Sequence, residues 1–246
     1  MPQLTLASDF PGATEDDWLE RVARTLKGRS VDSLESETLD GIRLKPVYRG
    51  VTDPGPVPRR AVGDPPWTIM QRVDIPDVGR ANAQAREDLA NGAGGLVLVW
   101  PGSVGAGDHG IMVSTLDDLK RLTDGIDIER VVLRLDAGAF GQQAAGLILD
   151  LCEARNIDPA RCDVAFGLDP LGALALTGLA DDEAALRRDL AGSVAAIAGR
   201  GHRGPANMVD TRAYHGAGSA EAQELAAALA TAIQYLRWLE AEGHDV

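Results

Sequence analysis

The chain has 246 residues, 45% of them hydrophobic and 25% charged, which suits one large globular domain or a domain with an arm. Its formal net charge of -13 repels phosphate backbones and anionic bilayers, so nucleic acid and membrane surfaces are not expected partners. The two cysteines have no metal-like spacing, the N-terminus has no basic region ahead of an apolar run, and no apolar run has membrane-spanning length; these features predict a cytoplasmic protein with reduced thiols and no metal site.

Residues 1–60 read as an arm with a linker. In SDFPGATEDDWLERVARTLKG, Thr14 is a candidate N-cap, Asp16 and Asp17 favour the positive helix end, and Gly28 is a candidate terminator. Trp18, Leu19, Val22 and Leu26 recur at helical spacing and predict one apolar face. Asp40-Gly41 between alternating segments predicts a hairpin. VTDPGPVPRRAVGDPP, rich in Pro and Gly, predicts an extended linker.

Residues 61–246 carry a different rhythm. WTIMQRVDI, GGLVLVW, RVVLRLDAG, CDVAFGLDP and PANMVDTRA each read as a short buried strand, and each is followed by a stretch of helical periodicity. Repeated βα units with apolar strands predict an α/β fold with a parallel sheet under helices. Polar residues at successive strand ends (Gln71, Arg72, Trp100, Asp136, Asp169, Asp210, Arg212) favour a partial (β/α)8 TIM-type barrel of about five units. No Walker-type loop follows a strand to suggest an open nucleotide-binding sheet instead. The second unit is thus a partial TIM-barrel domain.

Several segments resemble the methylmalonyl-CoA mutases, in particular the small, non-catalytic subunit of the bacterial heterodimeric enzymes. SDFPGATEDDWLERVARTLKG is similar to that subunit's opening helix and LDGIRLKPVY to the family's hairpin arm. PPWTIMQRVDIPD is similar to the first barrel strand, which reads RPWTIRQY in the catalytic subunit. FGLDPLGALALTG resembles the fourth strand and its loop, and AYHGAGSAEAQELAAALATAIQYLR the fifth unit. The resemblance implies a barrel that threads coenzyme A along its axis and a separate flavodoxin-like domain that binds adenosylcobalamin through DxHxxG. Asp108-His109-Gly110 has the wrong spacing for that motif, so no cofactor is expected in this chain and adenosylcobalamin only in the full enzyme. A catalytic large subunit, or self-association through open barrel edges, is the expected partner.

His215 is the candidate catalytic residue: in the matching SGYHMQEAGA segment of the catalytic subunit, the histidine contacts the substrate carbonyl. The small-subunit resemblance favours the other reading, a histidine inherited into a vestigial pocket. Thr68, in WTIMQ, is the candidate substrate-binding residue. Three departures argue against catalysis by this chain. Met70 replaces the arginine of WTIRQ, Leu168 replaces the glutamine of TIQND, and PRRAVGD stands where YPTMY would supply the catalytic tyrosine. Asp169 is read as the cap of the following turn. Arg59 and Arg60 are read as solvated or interface residues, GSVGAGDHG as a mobile loop, and His202 and His244 as surface residues. Trp67, Trp100 and Trp238 are read as packing residues. The alternative function is a free-standing module that binds an acyl-CoA or coenzyme A.

Overall fold

The computed structural model describes residues 12–49, 67–107, 109–178 and 182–245. The predicted linker at 51–66, with Arg59 and Arg60, lies outside the described residues, as does Asp108. The chain divides into two compact units, 1–62 and 63–246.

In the first unit, helix α1 (Glu15–Leu26) opens on a capping box. Thr14 Oγ1 accepts from the Asp17 backbone N–H at 3.2 Å, and Asp17 Oδ2 accepts from the Thr14 backbone N–H at 2.9 Å. The Thr14 hydrogen bonds hold the Asp17 carboxyl below its usual range. The helix ends through Lys27 at φ 51° and Gly28 at φ 92°. Strands β1 (Ser36–Glu37) and β2 (Arg43–Leu44) pair antiparallel around Gly41, whose φ of 77° the turn requires. The expected apolar face of α1 is only partly buried: Leu26 is enclosed, Trp18 and Val22 are half-buried, and Leu19 is exposed. A unit this small has few atoms with which to cover a helix face.

The second unit contains β3 (Met70–Val73), α2 (Val78–Ala90), β4 (Gly95–Val99), α3 (Leu116–Leu122), β5 (Val132–Asp136), α4 (Gly141–Ala154), β6 (Val164–Ala165), α5 (Pro170–Thr177), α6 (Glu183–Gly199), α7 (Arg212–Gly216) and α8 (Glu221–Ala241). Strands β3 to β6 form one parallel sheet in sequential order. The fold is therefore α/β with a parallel sheet, as the βα rhythm predicts. The register sets Met70 beside Gly95, Gly95 beside Val132 and Leu133 beside Val164. The fifth expected strand is reduced to one parallel bridge between Leu168 and Asn207. It still joins the sheet through Phe166 N–H to Pro205 O, Leu168 N–H to Ala206 O and Met208 N–H to Leu168 O. Pro205 has no N–H to extend that ladder.

Strand β4 reads Gly-Leu-Val-Leu-Val and is covered on both faces, as its unbroken apolar run requires. Its Leu96 and Leu98 pack with Leu133, Leu135 and Phe166, beneath Ala81, Leu119 and Ile148 of the helices. Trp100 closes the strand end, 2% exposed, with its Nε1–H donated to Val113 O at 3.1 Å. Trp238 is likewise buried. Trp67 is not a packing residue: it stands 79% exposed ahead of β3. The surface reading also fails for His202, which is 6% exposed. Its ring lies edge-on to Phe166, with Nε2 3.0 Å from Val164 O and Nδ1 3.2 Å from Pro159 O. Val164 belongs to the short β6, and the imidazole stands at its carbonyl where a ladder partner would. His244 is half-buried. Cys152 and Cys162 are both buried free thiols. Burial, beside Cys152, pushes the Cys162 thiol up to about 12, so little nucleophilic thiolate forms near neutral pH.

One element differs from the expected loop, and a short helix follows the bridged segment. Asp169 caps α5, Pro170 opens it, and Gly178 at φ 67° ends it, so the segment after the fourth strand is a helix. Tyr214 and His215 lie in the short helix α7. A Cβ on Gly95 would meet Met70 Sδ at 2.3 Å and the backbone Val132 O at 2.6 Å. A Cβ on Gly192, inside α6, would meet nothing within 4 Å. Gly95→Ala is expected to destabilise the fold by about 1–3 kcal/mol. Gly192→Ala is expected to stabilise it by about 0.5–1 kcal/mol, so the two should shift the urea midpoint in opposite directions.

Candidate functional site

Parallel strands bring their C-terminal ends to one side of the sheet, where Asp136, Asp169, Asp210 and Arg212 meet. Arg212 is the centre. Its Nη1 and Nη2 donate to the two carboxylate oxygens of Asp136, each at 2.9 Å. Its Nε donates to Asp210 Oδ1 at 2.9 Å, and Nη2 also reaches Asp210 Oδ2 at 2.6 Å. Asp136 ends β5 and Asp210 follows the bridged segment, so the Arg212 guanidinium ties its own segment to a residue 76 positions earlier in the chain. The planar fork suits this paired, bidentate geometry, which a lysine ammonium lacks.

The network continues through Asp169. Its Oδ2 accepts from the Asp210 backbone N–H at 2.7 Å and its Oδ1 from the Gly172 backbone N–H at 3.0 Å. Tyr235, reaching in from α8, donates its hydroxyl to Asp169 Oδ1 and accepts from the Leu171 backbone N–H at 2.9 Å. Asp169 therefore caps α5, as its sequence context predicts, and also anchors α8. Burial raises the Asp169 carboxyl above its usual range, against the hydrogen bonds from Tyr235, Asp210 and Gly172. Burial works in the same direction on Asp210, but the bonds and charge of Arg212 outweigh it and hold that carboxyl low. The void left among Asp136, Gly138, Gly167, Asp169, Met208 and Asp210 is about 20 Å³, room for about one water. Its glycines are needed, because a Cβ on Gly167, at φ 66°, would lie 2.4 Å from Leu135 O.

The two residues singled out for chemistry are not brought together. Thr68 is exposed ahead of β3, at the end of the sheet where strands begin. His215 is on the opposite side, beyond the strand ends, with its imidazole 75% exposed. Its Nδ1 lies 3.0 Å from Glu224 Oε2, while Thr211 Oγ1 donates to Glu224 Oε1 at 2.6 Å. The Thr211 bond, then His215, holds the Glu224 carboxyl low. The imidazole is thus fastened to the start of α8 and does not line the strand-end void. Met70 faces Gly95 across the sheet, and Leu168 is buried in the core. The glycine-rich loop after β4 is tied down: Gly110 N–H donates to Asp74 O and Ile111 N–H to Val99 O, both at 2.8 Å. Arg72 donates to Asp74 Oδ2 at 2.8 Å and to Gly105 O at 3.0 Å. Tyr235 and Glu224, which hold Asp169 and His215, carry no local signal in an Ala- and Leu-rich helix. Among the described residues, no three His, Cys, Asp or Glu side chains gather as a metal site.

Fold and site define a parallel α/β protein whose strand-end charges pair with one another. The family model for methylmalonyl-CoA mutase matches residues 45–246, and the chain belongs to that family. It is 33% identical to the methylmalonyl-CoA mutase small subunit of Streptomyces virginiae, over 99% of this chain and 41% of the relative. It is 32% identical to the small subunit of Propionibacterium freudenreichii subsp. shermanii, over 98% of this chain and 39% of the relative. The large subunit of Streptomyces virginiae is 25% identical over 63% of this chain. The chain thus spans about two fifths of the small subunits it matches.

Arg212→Ala leaves two carboxylates without their counter-charge. Because the Arg212 side chain is 44% exposed, solvent screens part of the loss. The expected cost is about 2 kcal/mol, below the 3–5 kcal/mol or so of a fully buried pair. The depressed Asp210 carboxyl contributes stability above its unfolded pKa of about 3.9, and that contribution is lost as pH falls through its folded value. Asp169, raised in the fold, acts with the opposite sign: its carboxylate costs stability as pH rises from the unfolded value through the folded one. Urea titrations between about pH 5 and pH 2 should therefore show a smaller acid loss in Arg212→Ala than in the parent.

Proposed function

We propose that the chain is the N-terminal barrel part of a small, non-catalytic mutase subunit, and that it supports a catalytic large subunit in interconverting methylmalonyl-CoA and succinyl-CoA. The observation that carries this reading is the strand-end cluster. Arg212 is consumed by Asp136 and Asp210, and the adjoining void of about 20 Å³ has no room for a thioester. The same residues do not fit adenosylcobalamin, which is far larger than the void and finds no unpaired ligand among them. Sequential parallel order in the sheet supports a partial barrel, with β3 and the 205–209 segment as its open edges. His215, fastened to Glu224, is then an inherited residue that fixes the α7–α8 junction, and exposed Thr68 does not contribute to a substrate site in this chain.

The chain alone, given adenosylcobalamin and methylmalonyl-CoA, is expected to produce no succinyl-CoA, and to co-elute with a catalytic large subunit in size-exclusion chromatography. Turnover by the isolated chain would overturn the reading. Its melting temperature is expected to stay unchanged in coenzyme A. A rise of several degrees, the effect of a ligand at about a hundred times its Kd, would favour the free-standing binding module instead.

A further inference from the structure

The chain holds two cysteines, and the fold sets them against each other. Cys152 lies in the last turn of α4, and Cys162 just ahead of β6. The backbone reverses between them. Ile157 N–H donates back to Cys152 O at 2.8 Å, and Asn156 takes a left-handed φ of 56°, which asparagine tolerates. A single 3-10 turn, Pro159–Arg161, then returns the chain, with Cys162 N–H donated to Pro159 O at 3.2 Å. The two thiols meet in a side-chain hydrogen bond, and Cys162 Sγ also lies 4.0 Å from Asp158 O. Among the described residues no third His, Cys, Asp or Glu gathers with them, so the pair is not part of a metal site.

Two thiols in contact can complete a reaction that one buried thiol cannot. We propose that Cys152 and Cys162 form a redox-operated clasp, which a low-molecular-weight disulfide oxidises to an internal disulfide fastening the end of α4 to the start of β6. Cys162 is 7% exposed and Cys152 1%, and the turn ahead of Cys162 is open to solvent at Ala160 and Arg161, so Cys162 reacts first. Its sulfur attacks one sulfur of the small disulfide, whose S–S bond breaks, and one small thiol leaves with the Cys162 proton. Cys152 then gives up its proton and attacks the Cys162 sulfur, which releases the second small thiol. Two electrons and two protons pass from the pair to the reagent. Burial raises both thiols above their usual range, so the pair stays reduced while the turn is closed and reacts as it opens. The clasp is remote from the strand-end cluster in its residues and does not depend on the function proposed above.

The test holds the full 246-residue chain in glutathione disulfide, quenches it with acid and reads it by mass spectrometry and by thiol titration in denaturant. The chain is expected to lose about 2 Da, the two hydrogens removed, and both of its titratable thiols. Trypsin cleaves after Arg155 and Arg161, so the internal disulfide is expected to join two peptides that separate in the reduced chain. Cys152→Ala removes the thiol that resolves the first step, and is expected to stop at a glutathione adduct on Cys162. The oxidised parent is expected to unfold at higher urea than the reduced parent, because the bridge restricts the unfolded chain. The proposal is overturned if both thiols persist under conditions that consume them in the urea-unfolded chain, or if adducts or disulfide-linked dimers form in place of the internal bridge. It is also overturned if oxidation leaves the urea midpoint of the parent unchanged or lower.

Discussion

The grip of Arg212 on Asp136 and Asp210 is the constraint around which the second unit is arranged. Asp136 belongs to the sheet, while Asp210 and Arg212 belong to the segment that has almost ceased to be a strand. With a single bridge between Leu168 and Asn207, backbone pairing holds that segment weakly. The bidentate pair supplies what the ladder lacks, and the bond from Asp210 N–H to Asp169 carries the tie on to α5 and, through Tyr235, to α8. Two short helices and one long one thereby share a single polar anchor. An anchor made of charges needs its members fully paired, since a buried carboxylate without a partner costs more than the pair gains.

The same arrangement leaves little open space at the strand ends. Strand ends in a barrel are useful to chemistry when their polar side chains point into open space and wait for a ligand. Here they are spent on one another. Pairing within the cluster, with Gly138 and Gly167 letting backbones close in, leaves a void of only about 20 Å³.

Much of this was legible in the sequence. The alternation of apolar strands with helical stretches predicts the parallel sheet, and Asp136, Asp169, Asp210 and Arg212 stand out as polar residues at strand ends. Their pairing was not legible, because contacts between residues 76 apart leave no local mark. The start and stop of α5 are written in Asp169-Pro170 and Gly178, yet a loop was expected there because PLGALALT has no polar face from which to infer a period. His202 and Trp67 were misjudged for a common reason. Residue type predicts average burial, while actual burial depends on which carbonyl needs a donor. The Val164 carbonyl of β6 draws a histidine inside, while a tryptophan ahead of β3 stays out.

The order of the sheet also bears on how the chain is made. Each strand from β3 to β6 pairs only with its neighbours in sequence. A strand leaving the ribosome therefore finds its template already in place and has no need to wait for a distant segment. At each moment of synthesis one fresh edge is exposed, and the next unit covers it. Arg212 arrives after the sheet is assembled and meets an Asp136 already held by β4 through Trp100 N–H. The clamp closes on a sheet already formed, and Tyr235 of α8, later still in the chain, braces Asp169 behind it.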